Sequence, residues 1–294
     1  RVARARAASE RVLVVGDFDA DGLTGLVILV TALRRLGLDV AWHVPSRVDD
    51  GHGLTRRAVE VAREAGRTLI FTVDTGSSSV AEVAEAAAVG VDVVVTDHHR
   101  VPEVVPPAVA IVNPHRPDAT YPDRRLAGSG VALKVAALLL ERLAGIPAAT
   151  TVADLADLAT IGTVADVAPV LGENRSIARL GLERIRTAPR PGIAALLTSA
   201  GVDAATATLE TIAYVLAPRL NAAGRVGEAA DAAALLLVDD DQVTDVLLAH
   251  AMGRFEDAHV SSHVAHGPAA DLVDAHGGLP SRRLHSHASS MPPE

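Results

Sequence analysis

The chain has no cysteine, which excludes disulfide scaffolds, thiolate metal sites and cysteine nucleophiles. No run of about 18 apolar residues is free of charge, so no transmembrane helix is expected. The first residues, RVARARAASERV, are basic but carry no apolar stretch before a cleavage site. They do not read as a signal peptide, and a soluble cytoplasmic protein is the expectation. Lysine is nearly absent, with Lys134 alone among the basic residues that are otherwise all arginine. Lys+Arg total 27 against 36 Asp+Glu, a net charge of −9. That balance argues against a generally sticky nucleic-acid binder. It leaves room for an enzyme with an acidic, cation-holding site and a locally basic groove.

What is present is apolar bulk and a regular alternation. Of the 294 residues, 49% are hydrophobic, which excludes disorder of the whole chain and allows a sizeable core. Apolar, β-branched runs at 11–18, 40–44, 68–74, 91–97 and 109–113 predict strands. Helical spacing at 22–37, 54–66 and 79–90 falls between them, with glycine stops at Gly37, Gly66 and Gly90. Strands separated by helices predict an α/β fold, a parallel sheet flanked by helices. From about residue 126 the pattern turns mainly helical, with segments expected at LAGSGVALKVAALLLERLAG, ATTVADLADLATIG, 174–187, 191–199 and 205–216. Three parts are therefore expected: 1–125 as the α/β unit, 126–240 as a mainly helical segment, and 241–294 as a truncated, disordered tail. The last 36 residues hold six of the twelve histidines without regular ligand spacing.

In parallel sheets the site lies beyond the carboxyl ends of the strands. Three of those ends carry acidic or histidine clusters. VVGDFDADGLTG places Asp17, Asp19 and Asp21 at alternate positions, which point to one side while the strand lasts. Asp21 lies closest to the turn at Gly22, so it is the one expected to swing away. An EF-hand is excluded, because Ile28 stands at loop position 12 in place of a glutamate. TVDTGSSS adds Asp74, which needs a partner after so apolar a strand; the serines that follow are candidate caps for the next helix. TDHHR adds Asp97, His98 and His99, a donor set that suits a hard-to-borderline divalent cation. GTVADV supplies Asp166. Asp17, Asp19, Asp74, His98 and Asp166 are enough for two divalent ions bridged by one carboxylate, an arrangement that activates water and clamps phosphoryl oxygens.

GDFDADG, VDTG, TDHH and GTVADV, in this order and spacing, resemble the four motifs of the DHH phosphoesterase family. VPSRVDDGHGLT, IVNPHRPD, LAGSGVALK and APRLNAAGR resemble its RecJ-type single-stranded-DNA-specific exonucleases, with His52 in the place of an aromatic. The resemblance runs from about residue 10 to about 240. It implies metal ligation by Asp17, Asp19, Asp74, His98 and Asp166, with Asp74 as the bridge, Asp21 behind the ligands, Asp97 in support and His99 on the scissile phosphate. A histidine that some relatives carry ahead of the first motif is replaced here by Leu13, Val14 and Val15. Arg47 matches a family arginine near the strand's phosphates, Arg219 and Arg225 are candidates for backbone-phosphate contacts or for structural pairing with acids, and the N-terminus after Gly128-Ser129-Gly130 offers a further phosphate site or a tight packing turn. The implied cofactors are two divalent cations, Mn²⁺ or Mg²⁺. The implied reaction is 5′–3′ hydrolysis of single-stranded DNA to 5′ mononucleotides in DNA repair and recombination, with a helicase and a single-strand-binding protein as partners. The DHH-associated and OB-fold regions of such enzymes have no counterpart in this sequence, which therefore reads as a catalytic core. Two alternatives stand beside this: a DHH-type oligoribonuclease or cyclic-dinucleotide phosphodiesterase, and a non-catalytic scaffold in replication.

Overall fold

A computed structural model describes residues 1–46, 51–226 and 229–238, with backbone alone at 223–226. The strands β1 (Arg11–Gly16), β2 (Asp39–His43), β3 (Leu69–Val73), β4 (Asp92–Thr96) and β5 (Ala110–Val112) form one parallel sheet in the order β2-β1-β3-β4-β5. The helices α2 (Ala20–Arg35), α3 (Arg56–Glu64) and α4 (Val80–Ala88) supply the first three connections. The chain leaves β1 toward β2 and returns to β3 on the other side. The crevice between the ends of β1 and β3 is thus the topological switch point, where ligands bind in open parallel sheets.

Both faces of the sheet are covered, which explains why the strands read as continuous apolar runs. Val12 and Val14 of β1 belong to one core cluster with Phe71 and α2; Leu13 and Val15 belong to the other with Ala58, Val61 and Val83. Each such fully buried aliphatic side chain contributes about 1.5–3 kcal/mol. The first cluster continues into the helical half: α5 (Gly128–Ala144), α6 (Ala148–Ala165), α7 (Gly172–Thr187) and α8 (Pro191–Ser199). Arg184 and Arg190 meet the wholly buried Asp157 there, at 3.4 and 2.8 Å.

Two departures from the expected elements have physical causes. A short helix α1 (Val2–Ala7) forms at the N-terminus. It buries Val2 and Ala5, and Arg1 bonds Asp92 at 2.7 Å and also pairs with Glu10. The helix expected over 205–216 is broken into a 3₁₀ turn at Ala204–Thr206, a single turn α9 (Leu209–Thr211) and a π stretch at Ile212–Leu216. The π stretch leads into α10 (Ala217–Val226), which contains Pro218. Proline removes a helical N–H donor, and a local π adjustment accommodates the loss. Arg219 Nη1 donates to Val215 O at 3.0 Å, capping a carbonyl of that stretch. The last described helix is α11 (Ala229–Leu237). Arg47, the side chain of Arg225 and the tail over 241–294 lie outside the described residues. No helix among the described residues is long and apolar enough to cross a membrane.

Candidate metal centre

The loop after β1 carries the first three acids. Asp17 extends the strand ladder, its N–H donating to Val73 O at 3.2 Å, and its Oδ1 accepts from Phe18 N at 2.8 Å. Asp19 is the N-cap of α2: its Oδ1 accepts from Asp21 N and Gly22 N, both at 3.0 Å. Gly22 lies inside α2, and its need for glycine is close approach, since a Cβ there would fall 2.5 Å from Asp17 O. Asp21 turns inward. It is buried, and its carboxylate accepts from Gly128 N at 2.6 Å and Ser129 N at 2.9 Å. The free N–H groups at the start of α5 are therefore bound by a carboxylate of the protein, the tight-packing outcome for Gly128-Ser129-Gly130.

The loop after β3 supplies Asp74 in the left-handed region, at φ 59°. Its N–H donates to Thr96 O at 3.0 Å, and its buried carboxylate faces His98, with Oδ1 3.0 Å from Nε2. Neither atom has a hydrogen-bond partner. The first residue of α5 must be small here, because a Cβ on Gly128 would lie 2.5 Å from Asp74 Oδ1. The loop after β4 is held by Asp97, whose carboxylate accepts from Ser77 N at 2.9 Å, His98 N at 2.8 Å, His99 N at 3.1 Å and His99 Nδ1 at 2.8 Å. Asp166, the C-cap of α6, reaches the same place from the helical half, with Oδ2 3.9 Å from His98 Nδ1.

Three groups of donor atoms result, each lying within 4.8 Å: Asp74 with His98 and His99; Asp21 with His98 and Asp166; Asp17 with Asp19 and Asp74. The eight residues singled out around the four motifs thus meet in one crevice. Arg219 points its Nη1 back to Val215 O in the π stretch that precedes α10. A hollow of about 450 Å³ beside β5, lined by Ile111, Tyr121, Leu126 and Lys134, shares Asn113 with this region but none of the carboxylates.

Burial raises the carboxyl of Asp74 well above its ordinary value, with Asp21 and Asp19 nearby adding to the rise. Burial also raises Asp17 and Asp166, and pushes Asp21 up to about 6. Asp97 behaves oppositely. Burial works against its charge, but the bonds from His99 and Ser77 outweigh it and hold the carboxyl at about 2. The same bond to Asp97 raises His99 to about 9, which favours the charged form of this imidazole.

Sequence reasoning did not foresee the contacts of four residues. Asn113 donates from Nδ2 to Ser77 Oγ and to His99 O, both at 2.9 Å, and so ties two loops together. Ser79 stands at the N-cap of α4, but its hydroxyl accepts from Leu54 N at 3.1 Å and makes no side-chain cap bond to that helix. His52 packs against Phe18 with the rings tilted by 51° and their centroids 4.7 Å apart, and its Nδ1 lies 3.8 Å from Asp17 Oδ2. Asn221 Oδ1 accepts from Ala20 N at 2.7 Å, across 201 residues. Asn113, His52 and Asn221 all stand in segments noted for their resemblance to one exonuclease type, which was the available signal.

Residues 11–163 match the DHH family, N-terminal domain. The single-stranded-DNA-specific exonuclease RecJ of Bacillus subtilis (strain 168) is 41% identical over 253 residues, covering 85% of this chain and 31% of that protein. Among solved structures, exonuclease RecJ bound to manganese superposes with a TM-score of 0.77 at 37% identity, covering 88% of this chain and 64% of that one. RecJ from Thermus thermophilus in complex with Mg²⁺ gives 0.62 at 34% identity, covering 88% of this chain and 33% of that one. This chain accordingly spans less than two thirds of these relatives. A match over more than half of its 294 residues, with all four acidic motifs converging on the switch point of the sheet, places the chain in the DHH family.

Proposed function

We propose that this chain is the core of a RecJ-type exonuclease, a divalent-cation-dependent hydrolase that cuts single-stranded DNA from its 5′ end into 5′ mononucleotides. The observation that carries the reading is the convergence of Asp17, Asp19, Asp74, His98 and Asp166 around Asp74 Oδ1 and His98 Nε2, two buried atoms 3.0 Å apart that have no hydrogen-bond partner. Carboxylates held this close and this buried repel each other unless protonated or bound to cations. Carboxylate oxygens with one or two imidazoles suit Mn²⁺ or Mg²⁺, and the exonucleases this chain resembles bind those ions.

Asp17, Asp19, Asp74, His98 and Asp166 would hold the cations, with Asp74 shared between them and Asp21 behind His98. Bound cations supply a hydroxide at neutral pH and stabilise the attacked phosphate. The protein's own groups do the rest. Asp97 anchors His99 through Nδ1, leaving the other ring nitrogen of a cationic imidazole to face the scissile phosphate, where it offsets developing charge. Asn113 and Ser77 fix the loops that carry this pair. Residues 1–125 and 126–240 act as one catalytic unit, because Asp166 belongs to the second. Arg47, Arg219 and Arg225 are proposed phosphate contacts along the strand. A helicase that exposes single strands and a protein that coats them are the partners proposed for this activity, and the cytoplasm its compartment.

The test is digestion of 5′-labelled single-stranded DNA, duplex DNA and a short RNA with Mn²⁺ present, using Asp74→Ala as the control. Labelled mononucleotide from single strands alone, lost in the variant, is the expected result. Cleavage of the short RNA alone would transfer the chain to the oligonucleotide-degrading branch of the family.

A further inference from the structure

Three N–H groups open the first turn of α2 without helical partners. Asp19 Oδ1 takes those of Asp21 and Gly22. The remaining one, Ala20 N–H, is bonded by Asn221 Oδ1 at 2.7 Å, from α10. This contact settles the orientation of the amide. Ala20 N–H can only donate, so the facing atom is the carbonyl oxygen, and Nδ2 is left as a donor on the same plane. Asn221 is half-buried, and Nδ2 bonds nothing among the described residues. The amide lies off the N-terminal end of α2, the end that carries Asp19 into the crevice. The segment directly follows the π stretch at Ile212–Leu216, and π turns concentrate at functional sites. Arg219, two residues earlier, spends its Nη1 on Val215 O.

From this geometry we infer that Asn221 is a substrate-contacting residue: Oδ1 locks onto the first turn of α2, and Nδ2 donates to a phosphate oxygen of the bound single strand beside Asp19. The inference rests on the exonuclease reading above and adds a specific hydrogen-bond donor to it. One amide thus fixes the distance between the strand and the acid-bearing loop. No proton or bond is transferred by Asn221; its contribution is position.

The test is a double-mutant cycle between protein and DNA. A single uncharged methylphosphonate is stepped through the first phosphates of a 5′-labelled oligonucleotide, and kcat and KM are measured with Mn²⁺ for the wild-type chain, Asn221→Ala and Asn221→Asp. With the wild type, one position is expected to lose about tenfold in kcat/KM, the size of one hydrogen bond to a charged acceptor. Asn221→Ala is expected to lose about as much on unmodified DNA, mostly in KM, and to be indifferent to the methylphosphonate at that same position. Asn221→Asp keeps an acceptor for Ala20 N–H. It is expected to melt like the wild type and bind Mn²⁺ with the same stoichiometry, yet to share the loss on unmodified DNA. Effects that multiply at every position, or wild-type kinetics in both variants, overturn the inference while leaving the exonuclease reading standing. A wild-type chain that neither binds nor cuts any single strand overturns both.

Discussion

The two halves of the molecule contribute to the crevice by opposite routes. In the sheet half, Asp17, Asp74, Asp97 and His98 each stand at the end of a parallel strand, brought together because neighbouring strands end side by side. A short stretch of local pattern announces each one. In the helical half, Asp166 arrives at the end of α6 and Asn221 from α10, both by the packing of whole helices against α2. The sheet places its donors by register, which one slipped residue would invert. The helices place theirs by side-chain volume, which fails gradually. The sheet half thus brings most of the clustered donors, and the helical half completes the cluster with Asp166.

The largest test of that contrast is Asp74→Ala, which removes the acid shared by two of the three donor groups. Turnover should fall by about a thousandfold or more. The cation-free protein should instead melt higher, because a desolvated carboxylate has been removed. A lower melting temperature would show that Asp74 is structural first.

Next in size is Gly162→Ala, which probes placement by volume. A Cβ there would lie 2.3 Å from Ser129 Oγ and 2.4 Å from Asp21 Oδ1, so α6 must retreat from α2 and α5. A stability loss of about 1–3 kcal/mol is expected in chemical denaturation, with weaker cation binding through the displaced Asp166. Unchanged cation affinity would mean that the helical half does not set the site.

The third test uses pH. Asp21 has its folded value raised to about 6, from an ordinary 3.8. The native state then holds a proton that the unfolded chain lacks, so the cation-free protein should gain stability as pH falls from 7 toward 4. Asp97, Asp39 and Asp154, all held below the ordinary value, oppose this only at lower pH. Saturating Mn²⁺ should abolish the slope, since a bound cation keeps the carboxylates ionised. Melting curves between pH 4 and 7, with and without the ion, decide it.

The smallest effect is expected from Val167→Asn. Val167 follows Asp166 with φ 56° and is 86% exposed, a left-handed backbone that a β-branched residue adopts at a cost. Asparagine tolerates that region, so the variant should gain about 1 kcal/mol or less. A loss of stability would reveal contacts made by the valine.

What the sequence made legible follows the same division. Apolar runs, glycine stops and acids at strand ends are local signals, so all five strands, their helices and the acids and histidines of the four motifs could be read directly. The inward turn of Asp21 was legible only as a tendency to leave its neighbours, because its partner, the start of α5, lies 107 residues away. Asn221 and Asn113 are polar residues whose value comes from long-range partners, and no periodicity reports such a pairing. The break near residue 212 was hidden because a π stretch of five residues is too short to set an apolar period of its own.

The bond between Asp21 and the start of α5 bears on how the crevice would treat a phosphate group. A helix N-terminus with exposed N–H groups attracts any phosphate that drifts near it. Here that attraction is already satisfied from within by a carboxylate of the protein itself. On the exonuclease function proposed above, a leaving nucleotide would meet no second phosphate site at the start of α5, because Asp21 already holds its first N–H groups.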